Sequence, residues 1–126
     1  MTRTVFESKT KTVIIGFDEP FAVIGERINP TGRKKLAAEM EADNFETVIK
    51  DALEQVACGA TILDINSGAV FTNKMAQDPR YADNNFVEPP LMKKLIEIVQ
   101  QTVDVPLCID SSVPGALEAG LQACEG

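Results

Sequence analysis

The sequence contains no histidine and no tryptophan, a single tyrosine, and three cysteines that never fall in CxxC spacing. Without histidine, the commonest general base and the commonest metal ligand are both missing. Cys58, Cys108 and Cys124 stand singly. An odd, unpaired set fits a reducing compartment. Two of the three fall on apolar element positions, so they read as core fillers rather than nucleophiles, because a thiol buried in apolar surroundings is inert. No apolar run approaches the length of a membrane span. Met1 to Lys11 is polar and charged with no apolar h-region, so no signal peptide is expected and a cytoplasmic location is the default. There is no glycine-rich phosphate cradle and no nucleophile elbow; Gly115 and Gly120 do not make a phosphate loop. Carboxylates are present, but without metal-ligand spacing, so no metal is expected. Basic residues are also scarce. The net charge is -7 and the pI about 4.5, which argues against nucleic acid. The one basic cluster, Arg33-Lys34-Lys35, is followed by Glu39 and Glu41 and reads first as a solvated helix start. A modest role in meeting an anionic ligand tail stays open beside that reading.

What remains is the composition of an ordinary soluble domain: 126 residues, 44% hydrophobic and 25% charged. Thr12-Val13-Ile14-Ile15-Gly16 and Phe21-Ala22-Val23-Ile24-Gly25 are β-rich runs separated by the turn chemistry of Phe17 to Pro20. They read as a hairpin, or as a lead-in strand followed by the first core strand. The second run is apolar throughout, as expected of a strand covered on both faces. A short helix is expected from Arg33 to Met40. Phe45, Val48, Ile49, Ala52, Leu53, Val56 and Ala57 follow helical spacing, with Asp43 as cap, Glu46 as its capping-box partner and Gly59 at the stop. Thr61 to Ile65 reads as a strand, and Gly68 to Pro90 as a long irregular loop. Leu91 to Thr102 reads as a helix and Val105 to Ile109 as a strand. A last helix starts near Ser111 or Ser112, either of which can cap it. Strand and helix alternate, which implies a parallel sheet with right-handed crossovers. Residues 1–20 form the lead-in and residues 21–126 the α/β domain.

Ligands of parallel α/β folds bind beyond the carboxyl ends of the strands. Those ends here are Gly25-Glu26-Arg27-Ile28-Asn29, Asp64-Ile65-Asn66-Ser67-Gly68 and Asp110-Ser111-Ser112. A carboxylate accepts two parallel hydrogen bonds from an amidine-like ring edge. A carboxamide both donates and accepts, so it matches a mixed edge. On a strand Asp64 and Asn66 point the same way, with Ile65 opposite. Each acid also has a structural reading: Asp64 as a cap or a partner of a nearby arginine, Glu26 as an ion pair with Arg27. Asp110 is the strongest single candidate, because the serines after it can do the capping.

Ile24-Gly25-Glu26-Arg27-Ile28-Asn29, Leu63-Asp64-Ile65-Asn66 and Leu107-Cys108-Ile109-Asp110-Ser111 together resemble the successive strand ends of pterin-binding methyltransferases. That group comprises the methyltetrahydrofolate:corrinoid methyltransferases and the folate domain of cobalamin-dependent methionine synthase. Ala116 to Leu121 resembles the family's helix after strand three, so the likeness runs from about Phe21 to Gly126. It implies a (β/α)8 TIM-type barrel with pterin at the carboxyl ends of the strands. Asp110 matches the family aspartate that hydrogen-bonds the pterin. Asn29, Asp64 and Asn66 match polar rim positions, and Glu26 and Ser111 lie in the same motifs. The implied reaction passes a methyl group between methyltetrahydrofolate and the cobalt of a corrinoid (cobalamin) held by a partner protein. Dihydropteroate synthase shares the fold, but its strand-two motif is usually richer in glycine. The long segment from Val70 to Pro90 resembles versions in corrinoid-dependent demethylation, where tetrahydrofolate accepts the methyl group.

A complete barrel needs about 250 residues. The resemblance therefore implies that this is the N-terminal part, with the family's later pterin ligands and its N5-activating asparagine beyond Gly126, and the catalytic residues unassigned here. Two other readings stay open: a dihydropteroate synthase-like enzyme, and a non-catalytic half-barrel that pairs with itself or a partner chain. Three core strands leave an exposed sheet edge, so a homo-oligomer or a missing C-terminal half is expected. The chain by itself is expected to show no methyl transfer in an assay with a corrinoid protein; measurable turnover would contradict this.

Overall fold

The computed structural model describes residues 2–126. Two sheets form. The first is an antiparallel pair, β1 (Thr4–Glu7) and β2 (Thr12–Ile15), with Phe6 opposite Val13. The second holds β3 (Ile24–Ile28), β4 (Ile62–Asn66) and β5 (Leu107–Asp110), all parallel, in the order β3-β4-β5. Helices α1 (Lys34–Glu41) and α2 (Glu46–Ala57) connect β3 to β4. Helix α3 (Thr72–Gln77), a 3-10 turn at Pro79–Ala82 and the long α4 (Asn84–Thr102) connect β4 to β5, and α5 (Pro114–Ala123) follows. The result is mixed α/β, consistent with part of a barrel-like fold; among the described residues the sheet does not close on itself.

One face of the parallel sheet makes the core. Ile28, Leu63 and Ile65 pack with Leu36 and Met40 of α1, Val48 and Ala52 of α2, and Leu91, Met92, Leu95, Ile96 and Val99 of α4. Leu107 and Ile109 join from β5. Most of these side chains are fully buried, so this face supplies the bulk of the hydrophobic drive. Helix α5 lies so close to β5 that its Gly120 is required. A Cβ there would stand 2.7 Å from Ile109 Cγ2 and 2.9 Å from Met92 Cγ.

Several expectations are corrected. The hairpin partner of Thr12–Ile15 is Thr4–Glu7, not Phe21–Gly25. Polar letters hid β1, because a two-stranded exposed ribbon needs little apolar content. The first core strand starts at Ile24, and Phe21 is 93% exposed. The apolar run before it therefore lies outside the ladder, so it is not a strand covered on both faces.

Asp43 does not cap α2. It adopts a left-handed φ of 60° and pairs with Lys94 at 2.7 Å, while Asn44 Oδ1 accepts the Glu46 N–H at 3.1 Å. Gly59, with φ 108°, ends that helix as expected. Neither Ser111 nor Ser112 is the cap position of α5, which is Val113. The Ser111 hydroxyl instead accepts the Val113 N–H from just outside the helix at 2.9 Å.

The largest correction is Gly68 to Pro90, which is mostly ordered. Asp83 caps α4 by accepting from the Asn85 N–H at 2.9 Å, and Pro89 and Pro90 lie inside the helix. Two prolines forfeit two helical hydrogen bonds. Burial of Val87, Leu91 and Leu95 along one stripe offsets that loss. Ahead of the helix, Tyr81 stacks edge-on against Phe86 at 5.4 Å between centroids, and the Lys74 ammonium sits 5.2 Å from the centre of the Phe71 ring.

No helix among the described residues is long and apolar enough to cross a membrane.

Gly120→Ala tests the close approach of α5. Helix propensity favours alanine by roughly 1 kcal/mol, but overpacking costs about 1–3 kcal/mol. The neighbour is a β-branched side chain with little freedom to yield. A lower urea midpoint with unchanged m-value is expected.

Candidate functional site

The second face of the parallel sheet has a different composition. Strand alternation turns Ile62, Asp64 and Asn66 away from the helices. The β4–β5 register sets Asp64 opposite Cys108 and Asn66 opposite Asp110. On β3 the register slips between Gly25 and Ile28. The Arg27 N–H bonds Gln55 Oε1 of α2 at 3.0 Å instead of the ladder, and its guanidinium reaches Asp51 at 3.8 Å. Asp51 is buried and also holds Arg33 at 2.8 Å. Arg27 therefore lies on the helix side, and the ion pair with Glu26 does not form. The face reads apolar at its lower end, where Ile24 and Ile62 are register partners, and acidic above, with Glu26, Asp64 and Asp110.

None of these three acids has a salt-bridge partner among the described residues. Like charges on neighbouring strands raise each other's proton affinity, as does burial. Burial foremost, then the charge of Asp110 and a hydrogen-bonding contact with it, push the Asp64 carboxyl from 3.8 up to about 6, and Glu26 acts in the same direction. Asp110 is exposed at the rim. Burial and the charge of Asp64 push the Cys108 thiol up to about 11, so it stays protonated at neutral pH. Cys108 is thus an inert thiol, but it faces the acids rather than filling the helix-side core. Cys124 packs beside that core, whereas Cys58 is exposed and fills nothing. All three cysteines are free.

The asparagines sit in local turns. Asn29 Oδ1 accepts the Thr31 N–H at 2.9 Å, and Asn66 Oδ1 accepts the Gly68 N–H at 2.8 Å. The Thr31 hydroxyl donates to the Gly68 carbonyl at 3.1 Å, tying the two rim loops together. A Cβ at Gly68 would stand 2.9 Å from that hydroxyl oxygen, so the junction needs glycine. Both carboxamide oxygens are committed, and the amide nitrogens are the groups each asparagine can offer a ligand. The Ser111 hydroxyl donates to Glu88 at 2.8 Å. Beside the rim, a groove of 520 Å³ runs between Pro30, Thr31, Ala38, Gly68 and Val70. No group of three His, Cys, Asp or Glu side chains is placed to hold a metal ion among the described residues.

A family model described as pterin binding enzyme matches residues 25–126. The chain belongs to the pterin binding enzyme family. The match begins at Gly25, inside β3, and takes in all three strand ends that carry the acids. Membership agrees with the geometry. The 2-amino-pyrimidinone edge of a pterin offers adjacent N–H donors, and an unpaired carboxylate accepts two such donors in parallel.

The sequence picked out Asp64, Asn66, Asp110 and Glu26, and the structure brings these four onto one face. Asn29 stands at the adjoining loop. Sequence reading passed over Thr31, Ser67 and Glu88. Cys108 was legible by parity, two residues before Asp110 on the same strand, while Glu88 lay in a stretch read as loop.

Asp64 also makes a pH prediction. Its folded-state pKa lies above the ordinary value, so its contribution to stability is fully present below pH 3.8 and is lost as pH rises through about 6. Asp64→Asn removes that loss. Chemical denaturation at pH 4 and pH 7 should show the variant gaining on the parent as pH rises, by under about 1 kcal/mol at pH 7 because the group is partly solvated. A constant difference across that window would contradict the assignment.

Proposed function

We propose that this chain forms the first strands of a (β/α)8 pterin-binding barrel, and that the protein moves a methyl group between methyltetrahydrofolate and a corrinoid protein. The observation that carries the reading is the set of acids at the carboxyl ends of β3, β4 and β5, all on one face and, among the described residues, none neutralised by a cation. Keeping Glu26, Asp64 and Asp110 unpaired costs stability. A ligand that brings several N–H donors repays that cost when it binds. Asp110, exposed at the rim, takes the amino-pyrimidinone edge. Asp64 lies against it, and Asn29 and Asn66 direct amide donors at ring acceptors. The Asp64-Ile65-Asn66 motif favours the methyltransferase branch over the synthase branch.

In the transfer the bond between the methyl carbon and N5 breaks, its electron pair stays on nitrogen, and N5 takes a proton. An amine is a poor leaving group until it is protonated or strongly hydrogen-bonded. A corrinoid on the partner supplies the low-valent cobalt centre that receives the methyl group. The chain's contribution is the folate side: to hold the pterin edge-on and leave the N5 face open at the mouth. The free edges of β3 and β5, with Ile24 and Leu121 exposed near them, suit further strands or a second copy.

Calorimetric titration separates the branches. Methyltetrahydrofolate is expected to bind more tightly than a hydroxymethyl-dihydropterin pyrophosphate. The reverse order would favour a dihydropteroate synthase-like activity, and binding of neither by the full-length protein would remove the pterin reading. Asp110→Ala should weaken methyltetrahydrofolate binding by about tenfold or more, the scale of a lost hydrogen bond to a charged group, while leaving the circular dichroism spectrum unchanged. Unaltered affinity in the full-length protein would take Asp110 out of the site.

A further inference from the structure

Helix α4 buries one of its two acids, and ligand recognition does not use it. Glu88 is 3% exposed, and no lysine or arginine pairs with it among the described residues. An uncompensated carboxyl in such a place is expensive. Valine or leucine there would extend the apolar stripe of Val87 and Leu91 without that cost.

The contacts of Glu88 show what the acid does. Its Oε1 accepts from the Ser67 hydroxyl at 3.2 Å and from the Ser111 hydroxyl at 2.8 Å. Ser111 Oγ at the same time accepts the Val113 N–H, so the proton of Ser111 is the one directed at Glu88. Ser67 is wholly buried, and its hydroxyl needs a partner inside the protein. These two serines directly follow Asn66 and Asp110, which are opposite each other in the β4–β5 register. A single oxygen on the helix therefore clamps both strands one residue past the pair that faces the ligand.

We infer that Glu88 is a positioning residue: through Ser67 and Ser111 it sets the spacing and direction of Asn66 and Asp110 at the pterin edge. The inference rests on the pterin reading. It also ties the site to α4, so the segment from Phe71 to Phe86 is mechanically joined to the ligand-facing strand ends. A carboxyl held one residue out of place loses a parallel pair of hydrogen bonds, because such pairs depend strongly on direction.

The test compares Glu88→Gln, Glu88→Ala and Ser67→Ala with the parent chain. Two quantities are read: calorimetric affinity for methyltetrahydrofolate and, without ligand, the titration midpoint of the Asp64 carboxyl carbon by NMR. Glutamine keeps the accepting oxygen and should bind within about threefold of the parent, whereas alanine should lose about tenfold or more. Ser67→Ala should fall between them. In Glu88→Ala the Asp64 midpoint should drop toward the ordinary carboxylate range as Asp110 moves off. Parent-like affinity and midpoint in Glu88→Ala would overturn the inference, as would a glutamine variant impaired as badly as alanine. If Glu88→Ala does not fold, Ser67→Ala decides by the same two readouts: a shift supports the clamp and no shift sinks it. If the parent binds no pterin, the proposed function falls, and the Asp64 midpoint alone still decides the role of Glu88.

Discussion

The pairing of β4 with β5 is the constraint on which the site depends. In a parallel ladder each register step carries a whole face with it, because side chains alternate. Setting Asn66 opposite Asp110 necessarily sets Asp64 opposite Cys108, and necessarily sends Leu63, Ile65, Leu107 and Ile109 into the helices. A slip of one residue would bury the acids in the core and expose the isoleucines. The hydrophobic drive on one face thereby holds a charged arrangement on the other that would not assemble by itself.

The charged arrangement is kept unneutralised by a second device. Arg27 follows Glu26 directly and would be its natural partner. The irregularity in β3 turns Arg27 toward α2, where the buried Asp51 engages both it and Arg33. The chain's nearby cations are thus spent on the far side of the sheet. What faces the mouth is a group of acids in which burial first, and then the charges of Asp110 and Glu26, raise the proton affinity of Asp64. That electrostatic cost is borne by the core, and a ligand rich in N–H donors would relieve it. Membership in the pterin binding enzyme family and this charge pattern therefore point to the same kind of guest.

The connection from β4 to β5 shows how local signals mislead. Prolines at 89 and 90 ordinarily stop a helix, and the asparagines and aspartates around them read as loop. Yet α4 begins at Asn84, capped by Asp83, because Val87, Leu91 and Leu95 form one buried stripe and outweigh two lost backbone bonds. The same blindness hid Glu88. Nothing in its neighbourhood marks it as more than a loop acid until the helix places it beneath both strand ends. The opposite error occurred at Phe21, where an apolar run looked like a strand and is solvent-exposed.

The sequence by itself determined the alternation of strands and helices, since buried parallel strands and amphipathic helices carry distinct periodicities. It also determined which residues stand at the strand ends, because Asp64, Asn66 and Asp110 terminate apolar runs and parity puts Asp64 with Asn66. Tertiary structure alone decided how those ends relate. The register that joins Asn66 to Asp110, the turn of Arg27 away from Glu26 toward Asp51 and the clamp of Glu88 on two serines are contacts between residues distant in sequence. Local propensity carries no information about them, because each exists only once packing has fixed which elements are neighbours.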